Sequence, residues 1–404
     1  MAKVAIIGGG AAGLTASLYA SLKHEVTIFE KNKVCGKKIT ITGNGRCNYW
    51  NTDQDLRHYH SSSKEMLDSF LESFDKEEIF SFFEEIGLYP EIKNGYYYPY
   101  SLQAISVRNV LLKKAELQNV QFKNDCEVLK IEVCANEKFK IYTNEAAFIF
   151  DKVLLANGSN AGIIEEKNAS GYALASQLGH KIIPVNPSLV QLMSTAPFCK
   201  DWAGVRALAN CTLYIENKKE KESRGEVQFT NYGVSGICIF NISRDVKKSL
   251  EEHKKVEVHF DFLPFLSSNQ TTLGWLEKRA TFLKNFPLEV MFENLIPYKL
   301  LFVLLKQAHL KKETCWEDLT LKEKEDFVKT LKDFSLEIVD TKGFSNAQAC
   351  SGGVCLEEVF LNTMESKIVK NLYIIGELLD VDGDCGGYNL GFAWMSGIRA
   401  GKSC

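Results

Sequence analysis

Lys3-Val4-Ala5-Ile6-Ile7-Gly8-Gly9-Gly10-Ala11-Ala12-Gly13 decides how the chain is read. Lys3 to Ile7 is a short β-forming run, Gly8 to Gly13 matches G-x-G-x-x-G, and a helix-compatible run from Ala11 to Leu22 follows. The order strand, glycine turn, helix has a physical reason. The turn is tight, the backbone must come close to a pyrophosphate, and the helix must pack on its strand, while the helix N-terminus turns unpaired N–H groups and a positive dipole end toward phosphate. A second strand, Glu25-Val26-Thr27-Ile28-Phe29-Glu30, ends in an acid 22 residues after Gly8. A carboxylate there accepts hydrogen bonds from the adenosine ribose hydroxyls. It suits an unphosphorylated ribose, so this site reads as one for FAD or NAD rather than NADP.

The next segment, Gly36-Lys37-Lys38-Ile39-Thr40-Ile41-Thr42-Gly43-Asn44-Gly45-Arg46-Cys47-Asn48, sets two lysines, an arginine and three glycines directly after the ribose acid. That is chemistry for a second anionic ligand surface approached closely by backbone. Near the C-terminus a strand, Leu372-Tyr373-Ile374-Ile375, enters Gly376-Glu377, then Asp380-Val381-Asp382-Gly383-Asp384-Cys385-Gly386-Gly387-Tyr388-Asn389-Leu390-Gly391, and a helix is expected from Phe392 to Gly401. A strand ending in Gly-Glu before a glycine-rich helix start suits the ribityl chain and isoalloxazine of a flavin. Only one G-x-G-x-x-G exists, so a nicotinamide cofactor has no Rossmann domain of its own and would enter an open pocket transiently.

Taken with Phe229-Thr230-Asn231-Tyr232-Gly233-Val234-Ser235-Gly236 and Thr363-Met364-Glu365-Ser366-Lys367, these motifs make the chain resemble the bacterial NAD(P)/FAD-dependent oxidoreductase family, which includes aminoacetone oxidase-like and bile-acid 3-dehydro-Δ4,6-reductase-like flavoproteins. The resemblance runs from residue 4 to residue 401. It implies an α/β fold: a Rossmann-like FAD-binding domain (1–187 and 349–404) interrupted by an insert with a small β-barrel-like part (188–261 and 335–348) and a helical part (262–334). It implies that FAD is held by Gly8, Gly10, Ala11, Ala12, Gly13, Glu30 and Lys31, by Gly36, Lys37 and Lys38, and by Thr42 to Asn48 with Cys47 among them. Val128, Ala156, Asn157 and Gly158 join that set, as do Gly376, Glu377, Asp382, Gly387, Tyr388, Asn389, Leu390 and Gly391. The family's A-T-G-G stands here as Ala156-Asn157-Gly158-Ser159, its G-S-T-G-D-G-Y as Lys167-Asn168-Ala169-Ser170-Gly171-Tyr172, and its V-T-x-G-G-V as Ala349-Cys350-Ser351-Gly352-Gly353-Val354.

Between the motifs, Asp75 and Glu78 read as a capping box for a helix carrying Ile79, Phe82, Phe83 and Ile86 up to Gly87. Gly95-Tyr96-Tyr97-Tyr98-Pro99-Tyr100 reads as a tyrosine-rich loop, an aromatic wall or a packed corner. In the insert, Glu216-Asn217-Lys218-Lys219-Glu220 and Ser223-Arg224-Gly225 read as turns between short strands, Leu319 to Leu331 as a helix, and Leu336-Glu337-Ile338-Val339 as a strand.

The 404 residues carry 48 basic and 51 acidic side chains, a net charge of −3, which offers no global positive field for nucleic acid. No apolar run approaches the length of a membrane span, and the first residues break into glycines before a signal-peptide core forms, so a cytoplasmic location is expected. Twelve cysteines show no C-x-x-C and no zinc spacing; they read as small buried hydrophobes kept reduced, Cys47 included. His58 and His60 are the one close histidine pair and, lacking a third ligand in sequence, read as an exposed loop rather than a metal site. No residue is singled out as catalytic. The readings carried forward are an FAD-dependent reductase of an activated C=C with a small organic substrate and NAD(P)H as transient electron donor, an amine or amino-ketone oxidase using O2, and a flavoprotein that binds RNA or a protein partner.

Overall fold

The computed structural model describes residues 1–162 and 170–404, so Lys167-Asn168-Ala169 lies outside the described residues. The chain divides into two compact units, Met1–Asn186 with Ala349–Cys404, and Pro187–Gln348.

The first unit is built on a sheet whose centre is β1 (Lys3–Ile7), flanked on one side by β2 (Glu25–Phe29) and β3 (Gln121–Lys123) and on the other by β4 (Lys152–Leu155) and β5 (Leu372–Ile374). All four of these pairings are parallel, with Ile7 opposite Phe29 and Leu155. Two short antiparallel strands, Glu365–Ser366 and Val359–Phe360, complete the edge beyond β5. A parallel sheet is covered on both faces, so its strands read as apolar runs rather than alternations; Val4, Ala5, Ile6 and Ile7 are all buried. Helix α1 (Ala11–Ala20) leaves the C-terminal end of β1, and α2 (Tyr388–Ser403) closes the chain. In open sheets of this kind, ligands bind outside the carboxyl ends of the strands. α2 starts four residues ahead of the expected Phe392, because Gly387 in the left-handed region turns the chain at its N-cap. α1 stops at Ala20, short of the exposed Leu22.

Two further expectations change in the first unit. Gly95 to Tyr100 is not a loop: Tyr96–Pro99 pairs antiparallel with Pro90–Lys93 around Asn94-Gly95, both at positive φ. Asn-Gly supplies the turn that matches strand twist, and tyrosines favour strands. At Lys76–Glu85 only half of the capping box forms. Asp75 accepts from the Glu77 N–H at 3.0 Å, while the Glu78 carboxylate pairs with Lys402.

The second unit holds a seven-stranded antiparallel sheet around the hairpin Arg206–Ile215 and Lys218–Thr230, whose tip residues Glu216 and Asn217 have positive φ. Ser223-Arg224-Gly225, expected as a turn, lies inside the second strand opposite Cys211, Asn210 and Ala209; the long partner strand meets its backbone hydrogen bonds. Helices Asn269–Phe282, Leu288–Met291, Tyr298–Gln307 and Leu321–Lys332 follow, the last opened by a complete capping box between Thr320 and Glu323. Phe334–Glu337 then pairs with Val256–Asp261. Trp202, Phe229, Phe260, Leu301, Phe327 and Leu336 lie in this unit's own core.

All twelve cysteines are free thiols, and nine are buried. Among the described residues no helix is long and apolar enough to cross a membrane.

In the first unit His180 is buried, its Nδ1 facing Glu358 Oε2 at 3.1 Å and its Nε2 facing Ser366 Oγ at 2.9 Å. Burial holds its pKa below the ordinary value against the pull of Glu358. The folded state therefore binds a proton less readily than the unfolded chain, so this contribution to stability is full above about pH 6.5 and is lost as pH falls below it. Urea midpoints between pH 8 and 5 should drop less steeply in His180→Gln than in the parent; equal slopes would refute the assignment.

Candidate functional site

The glycine turn after β1 is shaped by contacts that admit no side chain. Gly8 has φ +105°, and a Cβ there would stand 2.5 Å from the Ala156 carbonyl oxygen; one on Gly13 would stand 2.1 Å from the Gly8 oxygen. Gly10 faces open space and is the N-cap of α1. The first intrahelical bond runs from the Leu14 N–H to the Gly10 carbonyl at 2.9 Å, so the N–H groups of Ala11, Ala12 and Gly13 have no acceptor in a preceding turn.

Glu30 is buried at the end of β2. Its Oε2 accepts from the Gly9 N–H at 3.0 Å, and its Oε1 accepts from the Asn32 N–H and side-chain amide at 2.9 and 2.6 Å. The acid thus sits beside the glycine turn with lone pairs to spare. Lys31 is exposed next to it. The Cys126 N–H donates to the Glu30 carbonyl at 2.9 Å, bringing the buried Val128, two residues on, to the same end of the sheet.

Gly36 is tied to the turn by its N–H to the Gly9 carbonyl at 2.7 Å. From there the chain coils through Ile39–Gly45, with Gly43, Asn44, Gly45 and Cys47 all at positive φ. Lys37 and Arg46 are exposed, and Lys38 Nζ reaches Glu377 Oε2 at 3.0 Å, an oxygen that also accepts from Ser159 Oγ at 3.2 Å. The segment after the ribose acid, the Ala156-Asn157-Gly158 turn after β4 and the Gly376-Glu377 turn after β5 are therefore joined by side-chain bonds. Thr42 Oγ1 donates to the Ile39 carbonyl at 2.7 Å, and the Asn48 amide, its nitrogen turned inward, donates to the Trp50 carbonyl at 2.8 Å. The Cys47 thiol is buried and pushed up to about 11 by that burial, so it is no thiolate at neutral pH.

The C-terminal motif is equally determined. The Gly376 N–H donates to Ser396 Oγ at 3.1 Å. Asp382–Gly383 forms a short strand, and Asn389 grips it from α2: the Gly383 N–H donates to Asn389 Oδ1 at 2.9 Å and Asn389 Nδ2 donates to the Gly383 carbonyl at 2.8 Å. Gly387 has φ +92° and lies against the Trp50 backbone; Tyr388 is buried, Leu390 half-buried, and Gly391 packs on the Trp50 ring.

These residues fit a dinucleotide. The cradle is built where a Cβ would collide, and among the described residues Gly10 and Gly45 open onto free space and the buried Asn157 side-chain oxygen has no protein partner. Sequence reasoning missed one group. His58 and His60 are not a solvated loop: both meet Asp384 at 3.1 Å, in the turn that leads to α2. The pairing is long-range, and only the acid-rich composition of Asp380 to Asp384 hinted at it.

The profile of the HI0933-like protein Rossmann domain matches residues 2–403. A 3-dehydro-bile acid delta(4,6)-reductase from Clostridium scindens is 38% identical over 410 residues, covering 100% of this chain and 99% of that protein. A ribosomal RNA dihydrouridine synthase from Haemophilus influenzae is 27% identical, covering 98% and 97%. Among solved structures, 3-ketosteroid-Δ4-(5α)-dehydrogenase from Rhodococcus jostii RHA1 covers 100% of this chain and 96% of its own at a TM-score of 0.52 and 14% identity, a likeness of fold.

Proposed function

The chain belongs to the family of the HI0933-like protein Rossmann domain and is an FAD-dependent oxidoreductase, and from that premise we propose that it reduces an activated C=C bond of a small organic substrate, with NAD(P)H as transient electron donor. The observation that carries this reading is the full-length similarity, at 38% identity, to a protein named as a delta(4,6)-reductase of a 3-dehydro-bile acid.

FAD, when bound, supplies the hydride transfer. The protein's part is binding and orientation. The N–H groups of Ala11 to Gly13 and the dipole of α1 take the pyrophosphate, and Glu30 takes the ribose hydroxyls. Lys38, held to Glu377, keeps a cation beside the turns after β4 and β5. The Gly386-Gly387 turn and the N-terminus of α2 receive the flavin end.

Addition of NADH and then NADPH to the anaerobic protein should bleach its flavin absorbance with at least one of them. A yellow protein indifferent to both would overturn the nicotinamide step and leave an oxidase reading, tested by peroxide formation across an amine panel. A second reading, action on RNA, is favoured by the similarity to a ribosomal RNA dihydrouridine synthase. The net charge of −3 weighs against it. Salt-sensitive binding of ribosomal RNA fragments would select this second reading, and none at low salt would discard it.

A further inference from the structure

Outside the phosphate cradle, a dense cluster of titratable side chains lies where the strand Tyr59–His60 pairs antiparallel with Asp382–Gly383. Asp384, buried one residue beyond that strand, places Oδ2 3.1 Å from His58 Nδ1 and Oδ1 3.1 Å from His60 Nε2. The other nitrogen of His58 faces Asp53 Oδ2 at 3.1 Å. The His58 ring also stacks on Tyr388, the first residue of α2, with centroids 4.5 Å apart and planes 17° from parallel. The Asp384 N–H donates to the His58 carbonyl at 2.8 Å. Among the described residues no such cluster is arranged to hold a metal ion.

A carboxylate only accepts, so a ring with a carboxylate on each nitrogen satisfies both contacts only when both nitrogens carry protons. The ring also lies flat on the Tyr388 face, so Asp53, Asp384 and Tyr388 hold it at once. With both nitrogens engaged, His58 has no free N–H to give a substrate, so its role is positional. What it holds is specific: Asp384 precedes and Tyr388 follows the Cys385-Gly386-Gly387 turn.

We propose that His58, bridging Asp53 and Asp384 and stacked on Tyr388, is a positioning residue that clamps the Gly386-Gly387 turn in the shape that receives the flavin, so that cofactor affinity falls when His58 is replaced. This rests on the reading of that turn as a flavin contact.

The test is titration of the apoprotein with FAD, followed by fluorescence quenching, together with hydrogen exchange of the apoprotein at residues 385–388. His58→Asn should bind about tenfold more weakly than the parent, roughly 1.4 kcal/mol, and exchange faster at 385–388. His58→Gln, which can still reach a carboxylate, should recover part of that affinity. Asp53→Asn, at a largely exposed position, should keep the fold and show a smaller change of both readouts in the same direction. A folded His58→Asn with parental affinity and exchange overturns the clamp; if that variant does not fold, parental affinity and exchange in Asp53→Asn overturn it. A parent that binds no FAD refutes the flavin reading instead, and exchange at 385–388 then decides the clamp alone: protection lost in the variants supports it, and protection unaltered in them overturns it.

Discussion

Gly13→Ala should purify colourless and lose at least about 100-fold in FAD affinity, the equivalent of roughly 2.7 kcal/mol. The added methyl would lie 2.1 Å from the Gly8 carbonyl oxygen, with Ile6 and Ala156 side-chain carbons each 3.2 Å away. None of these is the loose end of a flexible side chain that could swing aside. Relief requires moving either α1 or the Gly8 peptide, and Gly8 is fixed by its N–H to the Phe29 carbonyl at 2.8 Å. Either movement shifts the Ala11 to Gly13 N–H groups away from the pyrophosphate they are proposed to hold, whose recognition depends on their direction. Gly10→Ala separates cradle from ligand. A Cβ at Gly10 meets no atom of the described residues within 4 Å, so this variant should keep parental urea stability and lose affinity only through collision with the bound cofactor. The flavin-to-protein ratio on purification and reconstitution with FAD read both. Parental affinity in Gly13→Ala would mean that the turn does not hold the phosphates.

The contrast shows which parts of the site were legible in sequence. The strand, the glycine turn and Glu30 are local: they fall within one strand–helix–strand stretch at fixed spacing, each carrying its own reason. The bond between Lys38 and Glu377 was half legible, since both residues stand in motifs read as cofactor-facing, but their contact joins positions 339 apart in the chain. His58 shows where the reading ran out. A His-x-His pair with no nearby third ligand looks like a solvated loop until a strand from the far end of the sequence brings Asp384 against both rings. Such pairings are set by the topology of the fold and leave no periodicity. The Tyr96–Pro99 strand was missed for a different reason. Its Asn94-Gly95 turn was present in the sequence, yet four tyrosines drew attention to chemistry when their β preference and that turn already specified a hairpin.

Gly397→Val should destabilise the first unit by about 3 kcal/mol and weaken FAD binding with it. Gly397 and Gly401 are four residues apart on α2 and so share one face. A Cβ at Gly397 would stand 2.7 Å from the Ala12 carbonyl oxygen and 3.0 Å from Thr15 Cβ; one at Gly401 would stand 2.5 Å from the Ala16 oxygen. The two helices thus touch backbone to backbone. That closeness has a functional consequence under the proposed cofactor site, because Ala12 lies in the first turn of α1, proposed to hold the phosphates, and Tyr388 opens α2 at the turn proposed to receive the flavin. The pair of glycines would therefore fix the spacing between the two ends of the proposed cofactor site. A branched side chain at 397 must push α1 away, spoiling the packing and misplacing the phosphate cradle together. Gly397→Ala, one methyl against the same oxygen, should show a smaller loss of both properties in the same proportion. Urea unfolding and FAD titration of the three proteins check this: if affinity stays at the parental level while stability falls, the contact between the helices is structural only and does not set the cofactor span.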